Sequence, residues 1–228
     1  MELEICCNSL ESALVAQKSG ADRIELCSEL HLGGLTPAKE VLLAVRKLIH
    51  IPIYVLIRPR GGDFVYSTKE FDAMISDIDF CVQNGFDGIV SGVLLENFNV
   101  DIKRTELLFS AAKKLDFTFH RAFDEVADTK QALTDLELIG VKRILSSGQE
   151  KTALQGLSLL QSLEASTDSI HFMPGAGINR DNILYFKTAG FKAAHASASK
   201  VIGVDESGSV KTVSDLDEIQ AMLKIIRA

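Results

Sequence analysis

Residues 1–27, MELEICCNSLESALVAQKSGADRIELC, contain a complete strand–helix–strand unit. Leu3–Cys7 and Arg23–Cys27 are short β-type runs, and Glu11–Ser19 between them has apolar residues at helical spacing. Gly20 ends the predicted helix, because glycine adopts the left-handed conformation of a helix C-cap without a steric penalty. Two strands joined in this way by a helix are predicted to lie parallel in one sheet.

The same unit recurs along all 228 residues. Eight units predict an α/β fold, a single (β/α)8 TIM barrel with a parallel eight-stranded sheet, that spans 1–228 as one domain. Thr36 is the expected N-cap of the second helix, with Pro37 as its first residue. The remaining predicted strands are Ile53–Arg58, Gly88–Ser91, Phe117–Arg121, Arg143–Ser146, Ile170–Met173 and Ala193–Ser197. The remaining predicted helices are Ala38–Ile49, Lys69–Asn84, Lys103–Leu115, Thr129–Ile139, Ala153–Leu163, Arg180–Thr188 and Val213–Ile226.

An open, doubly wound sheet is the competing architecture. Its dinucleotide-binding form carries G-x-G-x-x-G after the first strand, whereas this chain reads C-C-N-S-L-E at 6–11. We therefore favour closure into a barrel. In a barrel any active or binding site is expected at the C-terminal ends of the strands.

Composition excludes several classes of partner. The net charge of −7 argues against nucleic acid and against an anionic membrane surface. No apolar run approaches the roughly 18 residues of a membrane span, and the N-terminus lacks the basic region of a signal peptide, so we expect a cytoplasmic protein. The four cysteines form no C-x-x-C pair and are expected to be reduced thiols there. We also expect a homo-oligomer, with a dimer as the simplest case.

The first two strands carry the same short motif. Each reads E-x-C, as Glu4–Cys6 and Glu25–Cys27, so that the acid and the thiol of each strand share one face. If the strands lie side by side at matching heights, the two thiols are neighbours and so are the two acids. Two carboxylates that close must share a proton or have a cation nearby.

Arg58 at the end of the third strand is the cation expected beside Glu25. It begins the segment R-P-R-G-G-D-F at 58–64, a glycine-rich basic loop. The guanidinium groups of Arg58 and Arg60, with the backbone amides, could hold an oxyanion. The alternative is a solvated loop in which Arg58 only neutralises Glu25.

Two histidines stand at predicted strand ends. His120 closes the fifth strand among charged residues, where it could act as a catalyst or a ligand, or as a structural group. His195 lies in the eighth strand, on the same face as Ser197. The seventh strand runs into a glycine turn with Gly175 and Gly177, and loops after strands seven and eight often bind phosphate in such barrels.

The chain resembles the CutC copper-homeostasis family of β/α-barrel proteins. The resemblance implies a cytoplasmic barrel linked to copper, with copper binding by Cys6 and Cys27. This family usually places an acid two residues before the last histidine, whereas this chain has Ala193 before His195, which argues against an acid–histidine pair there. The matching segments are L-E-I-C at 3–6, D-R-I-E-L-C at 22–27, G-G-L-T-P at 33–37, I-R-P-R-G-G-D-F-V-Y at 57–66, T-F-H-R-A-F-D at 118–124, R-I-L-S-S-G at 143–148 and the glycine turn at 173–178.

Two functions follow. The first is copper homeostasis through Cu(I) binding, because soft thiolates suit Cu(I). The second is an enzyme that acts on a small anionic or phosphorylated metabolite. Its catalytic candidates are Glu25, Arg58 and His120, and its substrate-binding or anion-binding candidates are Glu4, Arg60, Gly175, Gly177, His195 and Ser197. A barrel with a purely structural role is the third alternative.

Overall fold

The structure is a computed structural model that describes residues 1–204 and 210–228. The strands of its large sheet are β1 Glu2–Cys7, β2 Arg23–Leu26, β3 Ile53–Leu56, β4 Gly88–Ser91, β5 Asp116–Phe119, β6 Arg143–Ser146, β7 His171–Pro174 and β8 Ala193–Ala196. Their order is β7-β6-β5-β4-β3-β2-β1-β8, and every pair in this order is parallel. β7 and β8, at the two ends of the order, lie next to each other. The sheet is therefore a nearly closed barrel, which confirms the predicted fold.

Each strand is followed by a helix that returns outside the barrel. In the described residues the helices are α1 Leu10–Ser19, α2 Lys39–Leu48, α3 Thr68–Gln83, α4 Ile102–Ala112, α5 Thr129–Ile139, α6 Leu157–Glu164, α7 Ile183–Thr188 and α8 Leu216–Arg227. Gly20 ends α1 in the left-handed conformation, as predicted, and Gly140 ends α5 in the same way. None of the helices in 1–204 and 210–228 is long and apolar enough to cross a membrane.

The start of α2 differs from the prediction. Ala38 is the N-cap and the helix begins at Lys39, so Thr36 and Pro37 lie outside it. The hydroxyl of Thr36 is not available as a cap, because it accepts a hydrogen bond from the Arg58 amide at 2.8 Å and donates to the Arg58 carbonyl. Thr36 and Pro37 therefore belong to a loop that is hydrogen-bonded to the residues after β3, and α2 begins after this loop.

The segment after β8 also differs. An antiparallel pair, β9 Ser199–Val204 and β10 Val210–Ser214, stands where a connection and the first turn of a helix were predicted. The predicted helix start at Val213 is wrong because this residue pairs with Lys200 of β9. α8 begins only after Asp215, whose side chain accepts a hydrogen bond from the Asp217 amide.

The barrel interior is less apolar than the sequence indicated. A large apolar core lies between the sheet and the helices, and smaller clusters inside the barrel contain Cys6, Cys27, Tyr54, Leu56 and Val90, and Leu145, Met173 and Ala193. Branched apolar side chains usually fill the interior of such a barrel. Glu4 and Arg23 are nevertheless buried deeper in the barrel, where the two pair with each other and Arg23 stacks on the Tyr54 ring. Pairing makes their burial tolerable, since each charge meets an opposite one.

Candidate functional site

A cavity of about 560 Å³ opens at the C-terminal ends of the strands. This volume falls within the usual range of small-molecule sites, about 300–1,000 Å³. Its walls combine apolar side chains with ionisable ones. The lining residues that bear on function are Cys6, Glu25, Cys27, Arg58, Phe64, His120, Gly177, His195 and Ser197.

The two cysteines of the E-x-C motifs are neighbours in this cavity. The Sγ atoms of Cys6 and Cys27 lie 3.4 Å apart, although the strands are not at matching heights. Glu4 lies opposite Arg23 and Cys6 lies opposite Glu25, so the two motifs are offset by one strand repeat. The hydrogen bond with Cys27 and burial raise the pKa of the Cys6 thiol well above its usual value.

His195 lies between the two carboxylates. Its Nδ1 donates to Glu4 Oε1 at 2.8 Å and lies 4.0 Å from Glu25 Oε2. His195 therefore forms an acid–histidine pair, although Ala193 in its own strand led us to expect none. The acid comes from the neighbouring strand, because the parallel register places Glu4 directly beside His195.

The charges in this group are balanced by His195 and Arg23. Burial alone would raise the pKa of Glu4, but Arg23 and His195 lower it to about 2. Burial alone would lower the pKa of His195, but Glu25, Cys6 and Glu4 raise it well above its usual value. The cation that two nearby carboxylates require is thus present, although Arg23 was missed by the sequence analysis. The alternation of side chains along β2 would have placed Arg23 on the same face as Glu25.

Glu25 lies in the wall of the cavity. It is buried, and its Oε2 has no hydrogen-bond partner among the described residues. Burial raises the pKa of Glu25 to about 7, against the opposing effect of His195. A carboxyl group with a pKa near neutrality can both accept and release a proton at physiological pH.

The two arginines of the basic loop have different surroundings. Arg58 lines the cavity but does not neutralise Glu25, because its guanidinium donates to the carbonyls of Leu32, Gly34 and Gly62. Arg60 does not line the cavity. Its guanidinium forms ion pairs with Glu70 and Asp63, each at 2.8 Å. The structure therefore does not bring the two arginines together on one ligand.

His120 is a buried residue of the cavity wall. Its Nδ1 accepts a hydrogen bond from the Ala122 amide, and its Nε2 has no partner among the described residues. Burial, with a smaller effect of Arg58, lowers the pKa of His120 to about 3. The ring is therefore neutral at physiological pH.

Only one of the two glycines predicted in the turn after β7 lines the cavity. Gly177 and Ser197 line the cavity, whereas Gly175 does not. A Cβ atom at Gly175 would lie 2.5 Å from Leu145 Cδ1 and 3.4 Å from His195 Cβ, so a larger residue there would displace the Leu145 side chain.

Asp124 is a second residue that the sequence analysis missed. Its carboxylate accepts hydrogen bonds from the Ser146 and Ser147 hydroxyls and from the Ser147 and Gln149 amides. It fixes the loop after β6, which forms one side of the cavity. No periodic pattern marks it, because it lies in a short 3₁₀ helix that follows β5.

A group of possible metal ligands lies around Cys6. Cys6, Glu25 and His195 each offer a ligand atom within 4.8 Å of the others, and the Cys27 thiol adjoins Cys6. Because Glu4 accepts from Nδ1 of His195, Nε2 is the nitrogen left for a ligand. A carboxylate that orients a histidine in this way is common around protein metal sites.

Comparison with known proteins identifies the family. The model of the CutC family matches residues 1–200. The chain belongs to the CutC family. A curated family protein CutC from Salmonella newport is 49% identical over 200 residues, which cover 88% of this chain and 81% of the relative.

A solved CutC structure agrees with the fold. The CutC protein of Streptococcus agalactiae, to which a role in copper homeostasis has been ascribed, has a TM-score of 0.82 at 32% identity and covers 86% of this chain and 98% of its own. The 3-hexulose-6-phosphate synthase of Salmonella typhimurium has a TM-score of 0.66 at 13% identity and covers 100% and 99% of the two chains. The latter shows only that this CutC chain shares the barrel fold with an enzyme.

Proposed function

We propose that this CutC chain is a cytoplasmic copper homeostasis protein that binds Cu(I) through Cys6 and Cys27. The observation that carries the proposal is the 3.4 Å separation of the two Sγ atoms at the wall of an open cavity. Thiolates are the soft ligands that Cu(I) prefers. The four cysteines are free thiols, and the cytosol keeps such pairs reduced.

His195 supports the thiols as a third ligand. Imidazole also suits copper, and Glu4 occupies Nδ1 of the ring, which leaves Nε2 as the nitrogen that can bind the metal. Copper replaces the protons on the thiols and on Nε2, because only the deprotonated groups bind a metal. Glu25 is a poorer ligand for Cu(I), since carboxylates favour harder ions.

The proposal is tested by titrating the reduced protein with Cu(I) under anaerobic conditions against a competing chelator. The Cys6→Ser/Cys27→Ser double variant should lose tight stoichiometric binding. Cys81→Ser is the matched control, because Cys81 is also a free buried cysteine but lies on the barrel-facing side of α3. Equal affinity of the wild type and the double variant would refute thiol binding.

An enzyme that acts on a small anionic or phosphorylated metabolite is the second candidate. It is favoured by Glu25, a buried carboxyl group at the cavity wall whose pKa of about 7 suits a general acid or base. Arg58 and His120 line the same cavity and would contact the substrate. Copper binding alone does not account for these groups.

This candidate predicts turnover that depends on Glu25. Mixtures of phosphorylated and carboxylated metabolites are incubated with the copper-free wild type and with Glu25→Gln, and products are followed by mass spectrometry. Conversion by the wild type that is lost in Glu25→Gln supports the enzyme. Conversion at equal rates in both would exclude Glu25 as the catalytic acid or base.

A further inference from the structure

Arg58 is a buried cation in the cavity wall. Its side chain is directed into the structure after β3, and the residue is only 7% exposed. It donates to three main-chain carbonyl oxygens and forms no ion pair with any described residue. Burying a charge is costly unless an opposite charge compensates it. An anion bound beside Arg58 would provide this compensation.

His120 provides an unused hydrogen-bond donor. The Ala122 amide donates to Nδ1, which requires this nitrogen to be unprotonated, so the neutral ring carries its hydrogen on Nε2. His120 is 4% exposed, and Nε2 has no partner among residues 1–204 and 210–228. Leaving a buried donor unsatisfied destabilises the folded protein. A ligand oxygen would remove this cost.

The two groups lie beside the same aromatic ring. The guanidinium carbon of Arg58 and the imidazole of His120 are each 4.7 Å from the centroid of Phe64. All three residues line the cavity of about 560 Å³. Since one water molecule occupies about 30 Å³ in the liquid, a metal ion would fill only a small part of this space.

We propose that the cavity binds a small organic molecule by a carboxylate or phosphate group held between Arg58 and the Nε2–H of His120, beside Phe64. Arg58 supplies the opposite charge and His120 supplies a directed, uncharged donor. A neutral donor can lie near Arg58 without adding a second buried cation. The carbon skeleton of the ligand then extends across the cavity toward Glu25 and His195.

This inference rests on the second candidate function and deepens it, because it names the residues that hold the anionic group of the ligand. Binding requires neither turnover nor copper, so it can be measured when both activities are absent. Arg60, which was expected to join Arg58 on an oxyanion, has no part in the subsite because Glu70 and Asp63 already pair with it.

Calorimetric titration with inorganic phosphate, glycerol 3-phosphate and lactate tests the subsite. Loss of the donor in His120→Leu should weaken binding of the best probe about tenfold or more, because a hydrogen bond to a charged group contributes about 1.5–3 kcal/mol. His120→Gln, whose amide can donate from a similar position, should restore part of the affinity. Arg58→Met should abolish binding. The relative affinities of phosphate and lactate decide whether the anion is a phosphate or a carboxylate.

Two controls separate this subsite from the other proposals. Arg104→Met should bind the probes normally, because Arg104 also stacks on a phenylalanine and donates to a carbonyl but lies outside the cavity. The wild type freed of copper should also bind them, because the subsite contains no proposed copper ligand. If Arg58→Met does not fold, the histidine variants and the imidazole NMR signals of His120 carry the test. The proposal is overturned if no probe at millimolar concentration produces heat or shifts those signals, or if His120→Leu binds as the wild type does.

Discussion

His195 in the last barrel strand donates a hydrogen bond of 2.8 Å from Nδ1 to Oε1 of Glu4 in the first strand. The other carboxylate oxygen, Oε2, pairs with Arg23 of β2. Glu4 thus joins three consecutive strands of the barrel through one buried side chain. His195 and the end of β1 after Glu4 form part of the cavity wall. The hydrogen bond between Glu4 and His195 therefore also orients the candidate metal site.

Glu4→Gln is expected to destabilise the fold. The substitution leaves Arg23 buried without its main counter-ion, and breaking a buried ion pair from one side typically costs about 3–5 kcal/mol in the free energy of unfolding. Urea denaturation followed by circular dichroism measures this loss. Glu2→Gln is the control, because Glu2 pairs with the same arginine but is exposed, and should cost about 1 kcal/mol or less. Equal losses in the two variants would contradict the role of Glu4.

Glu4→Gln should also weaken Cu(I) binding without removing a ligand. Outer carboxylates that orient a metal-binding histidine typically contribute about 10–100-fold in affinity. The anaerobic chelator competition should show a loss of that size in Glu4→Gln and none in Glu2→Gln, at a temperature where both variants are folded. An unchanged affinity in Glu4→Gln would mean that His195 is not a ligand.

Asp124→Ala should loosen the loop after β6. The substitution removes the acceptor for the Ser147 and Gln149 amides, both of which lie on that loop. Hydrogen exchange followed by mass spectrometry should show lost protection in a peptide that covers these amides. Glu125→Ala is a matched neighbour whose side chain makes no described hydrogen bond, and it should keep the protection. Protection retained in Asp124→Ala would show that the loop is held by other contacts.

The buried His120 should make the protein less stable in acid. Its pKa is about 3 in the folded chain, below the value of about 6.5 expected when unfolded. Between these values the unfolded chain binds a proton that the folded chain does not. The contribution of the neutral His120 ring to the free energy of unfolding is therefore present above about pH 6.5 and is lost as the pH falls toward about 3.

Comparison with His120→Gln isolates this effect. Between about pH 7.5 and about pH 5 the wild type should lose about 2 kcal/mol more in the free energy of unfolding than the variant, at about 1.4 kcal/mol per pH unit below the unfolded pKa. Urea denaturation at the two pH values measures the difference. Parallel losses in both proteins would show that His120 takes up a proton in the folded state.

The architecture was predictable because it depends on patterns that repeat. Alternating apolar strands and amphipathic helices, separated by glycines such as Gly20 and Gly140, determine a parallel barrel whatever the details of its interior. The hairpin of β9 and β10 was missed because β9 is exposed throughout and has no buried face to impose an alternating pattern.

The candidate site was only partly predictable. The shared face of Cys6 and Cys27 follows from side-chain alternation, but the partners of each charge depend on strand register, which no local pattern determines. An offset of two residues between β1 and β2 pairs Glu4 with Arg23 instead of with Glu25. Likewise, Arg58 and Arg60 are two residues apart in sequence, and only the path of the loop directs one to the cavity and the other to Glu70.

The proposed copper function depends on the binding of Cu(I) to the thiols of Cys6 and Cys27. X-ray absorption at the copper edge of the Cu(I)-loaded protein tests it most directly, because sulfur and nitrogen ligands give distinguishable spectra. We expect two sulfur ligands and one nitrogen ligand, with the nitrogen contribution lost in His195→Ala and the sulfur contribution lost in Cys6→Ser/Cys27→Ser. A spectrum with nitrogen and oxygen ligands alone, or one that the double cysteine variant leaves unchanged, would contradict it.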